Sequence, residues 1–139
     1  MTARTTAHVA TALEYASQDF DEADPVRHAL MNVVHYLTEN AGKNIQYLTF
    51  GTLRQAAQLS DEDGEILHKT IAYLTGKRAN LLTIAYEFID DDFEHELLGE
   101  ELAEFLANGE FCDPRTGREV AESGNFIYVF FRPNYAAFH

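Results

Sequence analysis

Val26, Leu30, Val33, Val34 and Leu37 constrain this chain most tightly. They fall on one stripe of an α-helix, and such a stripe must be buried against other elements. Asp24-Pro25 stands just ahead of it, an N-cap followed by proline at the first helical position. Gly42 sits where a C-terminal stop belongs. Val9, Leu13, Ala16 and Phe20 repeat the pattern and predict a preceding helix over residues 6–19, joined through an acidic link from Asp19 to Asp24.

Further along, Gln46-Tyr47-Leu48 reads as a short extended piece, and Thr49 can cap a brief helix through Leu53, Ala56 and Ala57. Leu59-Ser60 is a tight connection, and Ser60 with Asp63 resembles a capping box. The helix it opens spans Asp61 to Thr75, buries Leu67, Ile71 and Leu74, and ends at Gly76. The period then changes to two. Leu82, Ile84, Tyr86 and Phe88 alternate with less apolar residues, which predicts a half-buried strand. Asp90 to Phe93 reads as a turn. Leu98, Leu102, Phe105 and Leu106 predict a short acidic helix closed by Gly109. Asp113-Pro114-Arg115-Thr116-Gly117 is a strong turn signal between Phe111-Cys112 and Glu119-Val120. Phe126 to Phe131, apolar on both faces and ended by Pro133, predicts a central or doubly covered strand.

From residue 25 to 90 the order is helix, short strand, helix, tight turn, helix, strand. It resembles a winged helix-turn-helix in element order and turn placement, over about half the chain. The expected architecture is therefore α+β. An N-terminal helix (6–24) precedes a winged-helix-like core (25–90), and an acidic helix-plus-β-hairpin extension (91–139) follows, all in one domain. The resemblance implies that Asp61 to Thr75 would be the recognition helix and that the wing would follow Leu82 to Phe88. Arg54, Lys69, Lys77 and Arg78 would then meet phosphates.

Charge argues against that use. The 139 residues hold 10 basic and 23 acidic side chains, a net −13. Residues 82–139 alone set thirteen acids against Arg115, Arg118 and Arg132, so −10 lies there. Asp61, Glu62, Asp63 and Glu65 open the helix that would enter the groove. Each carboxylate about 4 Å from a phosphate costs roughly 1 kcal/mol even at the dielectric of water, and binding to nucleic acid depends on Lys and Arg. Acids at a helix N-terminus also simply favour the macrodipole. DNA binding is disfavoured on either reading, though a transcription regulator remains the alternative.

Candidate chemistry is sparse. Asp90, Asp92, Glu94 and Glu101 match positions 1, 3, 5 and 12 of a calcium loop, but His95 stands where glycine is required. His28 and His35 lie two turns apart on a polar helix face, about 10 Å and too far to chelate one metal. Cys112 reads as a structural strand residue without a base beside it. There is no HExxH, GxSxG, P-loop or GxGxxG pattern, so no catalytic, metal or cofactor residue is assigned. The lone cysteine excludes an internal disulfide framework. No apolar run approaches the roughly 18 residues of a membrane span. Met1-Thr2-Ala3-Arg4 leads into sequence without the apolar stretch of a leader, so a cytoplasmic setting is expected.

The functional expectation is a non-enzymatic regulatory module that binds a basic protein, with an inhibitor that mimics nucleic acid as a special case. Its partner-facing acids are Asp61, Glu62, Glu65, Asp90, Asp91, Asp92, Glu94, Glu100, Glu101 and Glu104. Tyr135 and Phe138, beyond Pro133, are expected to face another subunit of a homodimer.

Overall fold

The computed structural model describes residues 5–139. The Met1-Thr2-Ala3-Arg4 segment, read above for a leader, lies outside the described residues. The architecture is α+β, with six α-helices and a three-stranded antiparallel sheet of order β2-β1-β3 among the described residues. None of these helices is long and apolar enough to cross a membrane. The chain divides into two compact units, one running to Ile84 and including Phe131–His139, the other Ala85–Phe130.

In the first unit, α1 (Ala7–Asp19) starts at Thr6, whose Oγ1 accepts the Val9 N–H at 3.1 Å. α2 (Pro25–Glu39) starts at Asp24, whose Oδ1 accepts the Val26 N–H at 2.8 Å. The five stripe residues of α2 are all buried, with Ala29 beside them. Each such side chain contributes roughly 1.5–3 kcal/mol by leaving water. α2 packs against α1, α3 (Phe50–Ala56) and α4 (Gly64–Thr75). The expected stop at Gly42 is made instead by Asn40, whose side-chain amide and backbone N–H both donate to the Tyr36 carbonyl. Gly42 lies inside the following 3-10 turn, and Asn44 takes the left-handed conformation at φ 52°.

α4 begins three residues later than expected. The Asp63 carboxylate accepts the Ser60 N–H at 2.9 Å and the Ser60 hydroxyl at 3.0 Å. This closes residues 60–63 into a turn and spends the capping groups on it, so the helix starts at Gly64. Asp61 and Glu62 therefore precede the helix, and Glu65 is the only acid in its first turn. The stripe of Leu67, Ile71 and Leu74 is buried as expected, as is Thr70, whose hydroxyl donates to the Ile66 carbonyl at 2.7 Å. Phe138, expected at a subunit contact, is buried within its own chain in α6 (Tyr135–Phe138), while Tyr135 is exposed and stacks on His139 at 4.1 Å.

β1 (Leu82–Asp90) does not keep a clean two-residue period, because Ile84 is 48% exposed while Leu82, Ala85 and Phe88 are buried. Leu82 belongs to the first unit and Ala85 and Phe88 to the second, so the strand serves two cores in turn. β3 (Ile127–Pro133) is an edge strand rather than the central one, a place that β1 takes. Its apolar character has a local cause. Phe131 exchanges backbone hydrogen bonds with Leu48, both at 2.8 Å, so the outer edge is occupied there.

In the second unit, β1 turns through Asp91 (φ 51°) and Asp92 into β2 (Phe93–Glu96), a strand the sequence reading missed. Phe88, Leu97, Phe111 and Ile127 form its core, with Tyr86, Phe93, Leu102, Phe105 and Val120 packed around them. α5 (Gly99–Asn108) rests on this core and ends at Gly109 in the left-handed region (φ 72°). The turn from Asp113 to Gly117 forms as expected and pairs Cys112 with Glu119 across an antiparallel bridge. Cys112 is exposed, not a core residue.

Candidate acidic binding site

Two chain reversals within residues 85–130 bring distant carboxylates together. Gly109 turns the chain back at the end of α5 and returns Glu110 beside Glu104. The Cys112–Glu119 bridge brings Glu119 to the same place. Glu101, Glu104, Glu110 and Glu119 thus line an open groove of about 310 Å³, with Phe111 and Cys112 beside them. None of these six residues is cationic.

The groove carries the mark of crowded negative charge. A hydrogen bond between the Glu110 and Glu104 carboxyls, reinforced by the charge of Glu119, holds Glu110 above the ordinary glutamate range. Like-charged carboxyls that cannot all ionise freely behave in this way. Asn108 donates to Glu104 at 2.9 Å and fixes the helix-end rotamer. Glu101 has a partner as well: its Oε1 lies 2.7 Å from His95 Nε2. The imidazole stacks parallel to Phe93, with centroids 6.3 Å apart.

The Arg115 guanidinium is committed elsewhere. Arg115 donates to both Asp113 oxygens at 3.1 and 2.8 Å, and to Asp90 Oδ2 at 2.8 Å. It also lies 4.3 Å above the Phe93 ring. The Arg115 contact holds Asp113 below the usual carboxylate range, and the paired carboxylates raise Arg115 in turn. Asp90, named from the sequence as partner-facing, therefore serves this internal fork.

The other named acids separate by unit. Asp91, Asp92 and Glu94 are exposed on the β1–β2 hairpin, and Glu100 is exposed on α5. Glu101 and Glu104 stand in the groove. Asp61, Glu62 and Glu65 belong to the first unit. There Arg54 reaches Asp61 at 3.1 Å and Lys69 reaches Glu65 at 3.3 Å, both on the surface. The groove residues missing from the sequence reading are Glu110 and Glu119. The signal was present in the turn at 113–117, which sets Glu119 opposite Cys112 and hence near Glu110.

The cations of the alternative reading are spent in the same manner. Arg78 grips Asp19 with two hydrogen bonds, 2.8 and 2.9 Å, and lies 4.1 Å over the Tyr15 ring. Tyr73 donates to the same carboxylate at 2.6 Å. Arg78, and then Tyr73, pull Asp19 below its usual range. Burial, and then the Asp19 bond, push Tyr73 up to about 12. Of Arg54, Lys69, Lys77 and Arg78, only Lys77 has no carboxylate partner among the described residues.

No group of three or more His, Cys, Asp or Glu able to hold a metal ion occurs among the described residues. Cys112 shares its groove with Glu101, Glu104, Glu110 and Glu119, carboxylates that oppose formation of a thiolate. No family model matches the chain, and no curated protein or solved structure compared with it matches either.

Proposed function

We propose that the protein is a non-enzymatic regulatory module of the cytoplasm that binds a basic protein through the acidic groove of residues 85–130. The observation that carries this reading is the convergence of Glu101, Glu104, Glu110 and Glu119 in a groove with no Lys or Arg among its lining residues, where Glu110 retains its proton more strongly than an isolated glutamate. An arriving Lys or Arg relieves that repulsion, and the acidic surface around it steers the encounter. The same chemistry suits an inhibitor that takes the place of a nucleic acid on a basic groove.

We read α2, α3 and α4, followed by the β1–β2 hairpin, as a winged-helix-like arrangement used for protein contact. The order of elements supports it. The pairing of Arg54, Lys69 and Arg78 with carboxylates weakens the DNA-binding alternative, because phosphates would have to displace these partners.

The test is capture from native lysate on the immobilised protein. The wild type retains a basic protein whose yield falls as salt rises. Glu104→Lys with Glu110→Lys abolishes that capture. Capture unaffected by the double reversal, or insensitive to salt, would overturn the assignment.

A further inference from the structure

α5 packs weakly for a helix of ten residues, since none of its side chains is fully buried. Its inward side is Glu101, Leu102 and Phe105, the last two resting on the Phe88 core. At about 100° per residue, the outward side presents Ala103, Leu106 and Ala107 as one strip. Glu100 and Glu104 run alongside. Leu106 is 57% exposed, and Leu98 at the helix start is 65% exposed. An isolated exposed leucine is ordinary. Here the apolar strip adjoins an acidic one, which adjoins the groove.

We propose that the outer face of α5 docks a basic amphipathic helix of a protein partner, an apolar side chain of that helix resting on Leu106 between Ala103 and Ala107 while a Lys or Arg reaches past Glu104 into the groove. This deepens the reading above and rests on it. Charge complementarity selects the occupant. A helix with apolar residues on one stripe and cations beside it matches both strips at once, the helix-in-groove mode of recognition. A guanidinium can bond two carboxylates together, and Glu104 and Glu110 line the same groove. A second copy of this chain fits poorly, because it would set Glu100 and Glu104 against the same residues.

The experiment uses the full chain and two synthetic peptides of identical Lys/Leu composition, one patterned as an amphipathic helix and one scrambled, followed by fluorescence anisotropy. The patterned peptide binds about tenfold more tightly or better. Leu106→Ser removes that preference and leaves the residual charge-driven binding, and Leu106→Lys removes the preference while weakening both peptides through its added charge. Glu104→Gln with Glu110→Gln weakens both peptides. Equal affinity for the two peptides, or a preference that survives both Leu106 variants, overturns the docking face while leaving the acidic groove standing. Failure of both peptides to bind at low salt overturns the groove as well. Concentration-dependent dimerisation lost in Leu106→Ser overturns the proposal by assigning the face to a second copy.

Discussion

Phe88→Ala should cost this protein a large part of its stability. Phe88 is 2% exposed, and its ring lies 4.8 Å from Phe111, 6.2 Å from Phe93 and 6.3 Å from Phe126, centroid to centroid. Leu97 and Ile127 complete its surroundings. Truncating a buried phenylalanine costs about 3–5 kcal/mol, transfer and cavity together. The upper half of that range applies, because three aromatic neighbours on β2 and the 111–126 segment cannot all collapse into one gap. Domains of this size hold roughly 5–15 kcal/mol in total, so the melting midpoint should fall by about 10–20 °C. Urea unfolding followed by circular dichroism gives the free energy. Amide exchange shows whether the lost protection lies in residues 86–97 and 127–130. Phe126→Ala is the control; that ring is 38% exposed and its loss should cost about 1 kcal/mol or less. A Phe88→Ala penalty no larger than the control's would refute the assignment of Phe88 to a packed core.

Three further outcomes are expected. Glu110 titrates above an ordinary glutamate, so its contribution favours the folded state at low pH and is lost as pH rises through its folded value. Glu110→Gln should thus raise the urea midpoint relative to wild type at pH 7, with the gain vanishing near pH 4; a pH-independent difference contradicts the shared-proton geometry. Asp24→Ala removes the cap of α2 and should cost about 1 kcal/mol, read as a lower urea midpoint, whereas Asp24→Asn should keep most of it. Duplex DNA should give no gel shift at low salt, and a shift that disappears in Lys77→Glu/Arg78→Glu would restore the nucleic-acid reading.

The helices were legible because their information is local. Asp24-Pro25, Thr49 and Gly109 each announce a terminus through their own backbone or side-chain preferences, and the stripe of α2 needs only its own periodicity. Where a residue had two uses, the local signal misled. Ser60 and Asp63 can open a helix or close a turn, and here they close the turn. Alternation along β1 presumes one buried face, yet the strand serves one core at Leu82 and another at Phe88. The candidate site was legible in half. Glu101 and Glu104 lie in an acidic run, but Glu110 and Glu119 reach them only through two reversals of the chain. The ion pair that neutralises Asp90 depends on the same long-range placement, because Arg115 lies 25 residues away, whereas Glu65 and Lys69 pair locally at i, i+4.

The single-pair bridge between Leu48 and Phe131 bears on behaviour at high concentration. An exposed strand edge is a template on which another molecule can add its own strand. At Phe131 that template is filled by the protein's own backbone. β2, the opposite edge strand of the sheet, is four residues long and carries Glu94 and Glu96. A second molecule adding there would bring its own acids against these, so the sheet resists growing into fibrils even where its strands are most apolar.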